Sequence, residues 1–217
     1  MQALDALERQ LTAAERARFA RLTSPWHIQT FLDELPYSTD PIYRSPLSVL
    51  RDRKAHCFDG ALFGAAALRR LGYPPLILDM LPNERDDDHM LALFKVDGHW
   101  GAVAKSNFVG LRYREPIYRS LRELMLSYFE VFFNVAGEKT LRGYTAPLNL
   151  EAFDRYDWMT SDEHLERIAA RLDRIRRYPL LKPGMAERLC RLDERSRQAG
   201  LLGAVEEGLF RLEERKA

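Results

Sequence analysis

Apolar positions in residues 1–35 fall at helical spacing. Leu4, Leu7 and Leu11 repeat along one face, and Phe19 and Leu22 continue the pattern. Ser24-Pro25 supplies an N-cap and a Pro at the first helical position, so a helix is predicted from Trp26 to Leu35. Pro36, Pro41 and Pro46 make the next stretch irregular, with Tyr37 and Tyr43 as its anchors, and Ser45-Pro46 opens a short helix through Leu50. Residues 57–71 are apolar on nearly every side, which predicts a helix buried in the core. Gly72 is its C-cap and Pro74-Pro75 stops it. Leu76 to Leu81 reads as a strand.

Pro82 to Asp88 is a polar loop. His89 to Val96 and His99 to Lys105 alternate around Asp97-Gly98, a strong hairpin signal. Pairing about that turn sets Leu91 opposite Ala104 and His89 opposite Ser106. Tyr118 to Val135 reads as a helix with Leu121, Leu124, Met125, Tyr128, Phe129 and Phe132 inward. Thr140 to Leu148 offers a further strand. From Ser161 onward the pattern is helical, broken at Pro179, Pro183-Gly184 and Gly200. There is no internal repeat. The expected class is α+β: a buried helix on a small antiparallel sheet, with helical elaborations at both ends. One domain is expected over 1–158, and a helical extension packed on it over 159–217.

Composition narrows the partners. Hydrophobic residues make up 46%, enough for a real core. Lys plus Arg number 33 against 32 Asp plus Glu, for a net charge of +1, which argues against nucleic acid as the main partner. No apolar run approaches the ~18 residues of a membrane span, and no secretory signal is visible at Met1 to Asp5. Two cysteines make no disulfide framework, and a cytoplasmic setting is expected. The oligomeric state is left open.

Cys57 is the first chemical candidate. It opens the buried helix, where partial positive charge and free N–H groups favour thiolate. His89 opens the hairpin, and a His in reach of such a thiol can take its proton and later return it. A lone Cys also reads as a buried structural thiol. The helix-start position and the downstream His favour a site. Cys190 has no such context.

The string Cys57-Phe58-Asp59-Gly60-Ala61, the helix end Leu68-Arg69-Arg70-Leu71-Gly72-Tyr73, the strand 76–81, His89 and Gly98-His99-Trp100 together resemble the transglutaminase-like superfamily, relatives of papain-fold cysteine enzymes. The segment Ala104 to Phe108, with Leu111 to Pro116, is similar to a bacterial branch of it. The resemblance implies a papain-like core with Cys57 as nucleophile and His89 as base. It also implies an Asp four residues after the Trp to orient the His, and that position is Ala104. Asn107 and Ser106 are the expected substitutes, since Asn can hold an imidazole tautomer. A carboxylate from elsewhere, with Asp79 nearest in sequence, is the remaining option.

Other candidates each carry a plainer reading. His56 is a cap or rim residue, or a cation beside the thiol. Trp100 and the basic residues Lys105, Arg112 and Arg114 read as a substrate rim for carboxylate or phosphate, or as a solvated face paired with Glu115 and Glu123. Glu84 to Asp88 is a solvated loop or a place for a hard cation, without the spacing of a known Ca²⁺ loop. Paired zinc-ligand spacing is absent from the sequence, so no metal is expected.

The expected function is thiol-dependent acyl transfer on a peptide, amide or small acyl substrate, without a cofactor. The acyl group passes to water or to an amine. The rival is an inactive binding or assembly module of the same fold, with Ala104 marking lost catalysis. An arylamine-type acyltransferase is a third possibility.

Overall fold

The structure is a computed structural model that describes residues 2–211. Four helices lead in: α1 (Gln2–Gln10), α2 (Ala13–Ala20), α3 (Pro25–Asp33) and α4 (Pro46–Asp52). Ser24 and Ser45 cap α3 and α4 with Pro at the first turn, as their sequences predict. Helix α5 (Cys57–Arg70) follows, and every residue from Phe58 to Leu68 is buried. Large side chains buried in such a helix each contribute roughly 1.5–3 kcal/mol relative to exposure.

The sheet is larger than expected and has seven strands. They are β1 (Leu76–Pro82), β2 (His89–Val96), β3 (His99–Val103), β4 (Arg114–Tyr118), β5 (Leu141–Thr145), β6 (Leu148–Asn149) and β7 (Arg177–Pro179). The order is β4-β3-β2-β1-β5-β7, with β6 beside β1, and all pairs are antiparallel. The β2–β3 register runs from Val96 opposite His99 to Ala92 opposite Val103, in line with the turn-based expectation. Asp97 and Gly98 both take positive φ, 47° and 82°, as a two-residue type I′ turn requires.

Alternation divides the core. Ile77, Met90, Ala92, Phe94 and Val103 face α5 and its neighbours. Leu78, Met80, Leu91, Leu93, Ala102 and Ala104 face a second layer of Leu124, Met125, Tyr128 and Phe132. Gly60 lets α5 meet the end of the hairpin closely: a Cβ there would lie 2.3 Å from the Lys105 Cβ.

Two expectations are corrected. The helix expected over 118–135 is only α6 (Leu121–Leu126), followed by a short 3-10 turn, because Tyr118 ends β4 opposite Trp100. The region after residue 158 is not wholly helical. Helix α7 (Glu166–Leu172) buries Ile168 and Leu172 in the α5-side core, β7 extends the sheet, and α8 (Glu194–Gly200) lies beyond it. Residues 212–217 of the expected extension lie outside the described residues.

Candidate functional site

Cys57 occupies the first position of α5, and His56 caps that helix. The His56 Nδ1 accepts from the N–H groups of Phe58 (3.1 Å) and Asp59 (3.4 Å). Asp59, fully buried, accepts in return from His56 N (3.2 Å) and from Arg44 N (2.8 Å). His56 is therefore a cap and not a cation. Burial and the Arg44 charge hold its pKa down, to about 4. The same contacts tie the proline-rich loop to the helix start that carries Cys57.

The surroundings of the half-buried thiol favour its protonated form. Burial raises its pKa well above that of a free thiol, and Asp88 and Asp87 add to the rise. A Met90 backbone contact opposes this without reversing it. The helix-end effect expected to favour thiolate thus loses to desolvation and to neighbouring carboxylates. The Tyr37 hydroxyl lies against the Cys57 backbone N–H.

His89 is buried, and its Nε2 lies 2.7 Å from the Leu111 carbonyl oxygen. A carbonyl only accepts, so Nε2 carries the hydrogen and Nδ1 keeps a lone pair. Burial drops the imidazole pKa to about 4. His89 pairs with Met80, while Asp79 pairs with Met90. The His89 ring therefore enters from the sheet face opposite α5, at the first residue of β2. There Cys57, His89, Ser106 and Asn107 line one cavity of about 60 Å³.

Ser106 and Asn107 share that cavity but are engaged elsewhere. The Ser106 hydroxyl accepts from Phe108 N at 2.9 Å. The Asn107 amide donates to Val205 O and accepts from Val205 N, each at 2.8 Å. The orienting partner that His89 meets is the Leu111 carbonyl, which no side-chain motif could have announced. Asn107 instead fastens the chain after α8, whose Gly208 and Phe210 close the same cavity.

The basic candidates are also committed. The Lys105 ammonium is buried and donates to Leu32 O (3.0 Å) and Leu35 O at the end of α3; burial lowers its pKa to about 8. Arg112 pairs with Asp33 at 3.1 Å. Arg114 stacks on the Tyr128 ring at 3.9 Å and bonds Ser127 and the Gly110 carbonyl. Trp100 sits opposite Lys95, at the far end of the hairpin from His89. None of these four lines the Cys57–His89 cavity.

A second, larger cavity of about 310 Å³ adjoins Cys57 and shares Asp87 and Asp88 with the first. Asp79, Asp87, Asp88 and Asp173 line it, together with Tyr43 and Phe58. Asp79, the remaining expected orienter of His89, faces Cys57 instead. Its signal was a carboxylate inside an otherwise apolar strand.

No family model matches the chain, and no curated protein does. Solved structures of Legionella pneumophila LapG are similar at low levels. One shows 17% identity over 48% of this chain and 69% of that one, with a TM-score of 0.35. A calcium-bound form gives 18% identity, 48% and 71% coverage and a TM-score of 0.35. An EGTA-treated form gives 12% identity, 76% and 96% coverage and a TM-score of 0.41.

Proposed function

We propose that the protein performs thiol acyl transfer, most simply hydrolysis of a peptide or amide, through Cys57 and His89. One observation carries this reading. Both residues line one cavity, and the Leu111 carbonyl holds His89 in the tautomer whose Nδ1 is free to accept a proton. Cys57 Sγ attacks the carbonyl carbon as its proton passes to Nδ1. The amine leaves with that proton, and a thioester to Cys57 remains. Water then attacks, giving one proton to Nδ1; the acid departs, and that proton returns to sulfur.

The resting pair is neutral thiol and neutral imidazole, so His89 acts as a general base and not as half of a preformed ion pair. Intact mass spectrometry after exposure to p-nitrophenyl acetate tests this. The expected result is acetylation of Cys57 ahead of Cys190, with His89→Ala slowing deacylation by about 10² or more.

A second reading, a binding module without turnover, is favoured by Ala104 and by the Asn107–Val205 closure of the cavity. Equal acetylation of both cysteines, unaffected by His89→Ala, would select it.

A further inference from the structure

The segment after α8 runs over the Cys57–His89 cavity, and no step above uses it. It leaves the helix at Gly200, whose carbonyl accepts from Val109 N at 2.9 Å, and it turns at Gly203, where φ is 72°. A 3-10 turn over Glu206–Gly208 follows. Backbone bonds inside this stretch are local: Gly208 N donates to Val205 O (3.0 Å) and Leu209 N to Glu206 O (3.1 Å). Its two faces differ. Val205, Gly208 and Phe210 are half-buried and Leu209 is buried, whereas Glu206 and Glu207 are exposed.

Two features beneath it are those of a peptide groove. The first is the Asn107 side-chain amide, which donates to Val205 O and accepts from Val205 N, each at 2.8 Å. That exchange of both bonds is what one strand offers another, and it reads main chain whatever the side chain. The second is the fit at Gly208. A Cβ there would lie 2.9 Å from the Tyr37 ring and 3.1 Å from the Asn107 Nδ2. Gly208 is not among the glycines with positive φ, so closeness of approach, and not backbone conformation, calls for glycine. Tyr37, Gly208 and Phe210 line the same cavity as Cys57.

We propose that the cleft beneath Val205–Phe210 is a peptide groove anchored by Asn107 and selective for an apolar-x-x-Gly-apolar-apolar segment, which the chain's own segment fills in competition with a partner peptide. Calling that peptide the substrate of Cys57 rests on the acyl-transfer reading; its binding does not. Asn107 is then a positioning residue for the incoming main chain, and Tyr37 sets the glycine preference. Because the resident segment is tethered, it acts at an effective concentration on the order of mM, so a free peptide enters well only once the segment is loosened.

The test uses the full chain and a fluorescein-labelled peptide, Ala-Val-Glu-Glu-Gly-Leu-Phe, followed by anisotropy. Val205→Pro loosens the segment: φ at Val205 is −81°, which a proline ring accepts, and the N–H that Asn107 holds is gone. Gly208→Val loosens it a second way, by pressing on Tyr37. Both variants are expected to bind the peptide about tenfold or more tightly than the parent. Asn107→Ala also frees the segment but lacks the anchor, so it should bind about fivefold more weakly than Val205→Pro. A peptide with Val in place of its Gly should bind Val205→Pro about tenfold more weakly than the first peptide. Bound peptide should slow maleimide labelling of Cys57 in a Cys190→Ser background. Equal affinity of the parent and both loosened variants overturns the proposal and makes the segment a structural closure alone. Equal affinity for the two peptides overturns it too, as does an Asn107→Ala protein that binds as tightly as Val205→Pro. Peptide binding without acetylation by p-nitrophenyl acetate rejects only the enzyme, and acetylation without peptide binding rejects only the groove.

Discussion

Asn107 and Val205 are joined twice, side-chain amide to backbone N–H and carbonyl, each bond 2.8 Å long. The pair pins the chain after α8 over the Cys57–His89 cavity. Asn107→Ala removes both bonds and is expected to cost about 1–3 kcal/mol in denaturant unfolding. Alkylation of Cys57 should become faster as Phe210 loosens. Ser106→Ala, which removes only a turn contact to Phe108, should do less on both counts. Slower alkylation in Asn107→Ala would show that the amide serves the reactive pair directly.

The neutral pair sets a pH signature. With the thiol pKa raised and the imidazole near 4, thiolate is scarce at neutrality and grows as pH climbs past the ordinary thiol range. Iodoacetamide labelling of Cys57 should therefore still be rising above the ~8.5 of a free thiol. A plateau beginning near pH 5–6 would instead reveal a thiolate–imidazolium pair.

Asp79 gives a stability signature of known sign. Burial and the Asp88 charge push its pKa up, to about 9, far above the ~3.9 of an unfolded Asp. The folded protein thus holds this proton more tightly than the unfolded chain. The contribution is fully present below about pH 4 and is lost as pH rises toward 9, with a slope of at most about 1.4 kcal/mol per pH unit. Asp79→Asn should flatten that decline, as measured by urea midpoints at pH 5 and pH 8. Parallel declines in both proteins would mean that the Asp79 carboxyl finds a partner when folded.

Arg44 is buried, with Asp40, Asp52 and Asp59 as ion-pair partners. Arg44→Ala leaves Asp59 without the one guanidinium that pairs with it among the described residues and is expected to cost about 3–5 kcal/mol. Because Asp59 also fixes His56, the Cys57 labelling rate should change with it. Calorimetric unfolding and labelling on the same sample check both parts.

The α5 helix and the β2–β3 register were legible because each depends on local signals: a continuous apolar run, and Asp97-Gly98 between alternating segments. Strand β4 was hidden by Pro116, which an edge strand tolerates and which reads as a breaker. Strand β7 has no alternation of its own and exists because β5 offers it an edge. At the site, Cys57 and His89 could be singled out by position. The Leu111 carbonyl could not, since every residue carries one. Nor could the purpose of Asn107, whose partner lies 98 positions away. Lys105 read as a surface charge because sequence does not reveal that the end of α3 has carbonyls in need of a donor.

Cys57 stands where two cavities meet, one of about 60 Å³ and one of about 310 Å³, and Asp87 and Asp88 line both. Gly208 and Phe210 line the smaller one, on the His89 side, so a molecule lying across the sulfur from one cavity to the other has to displace them. On the acyl-transfer reading, the hold that Asn107 keeps on Val205 would then set how long a molecule the thiol can meet.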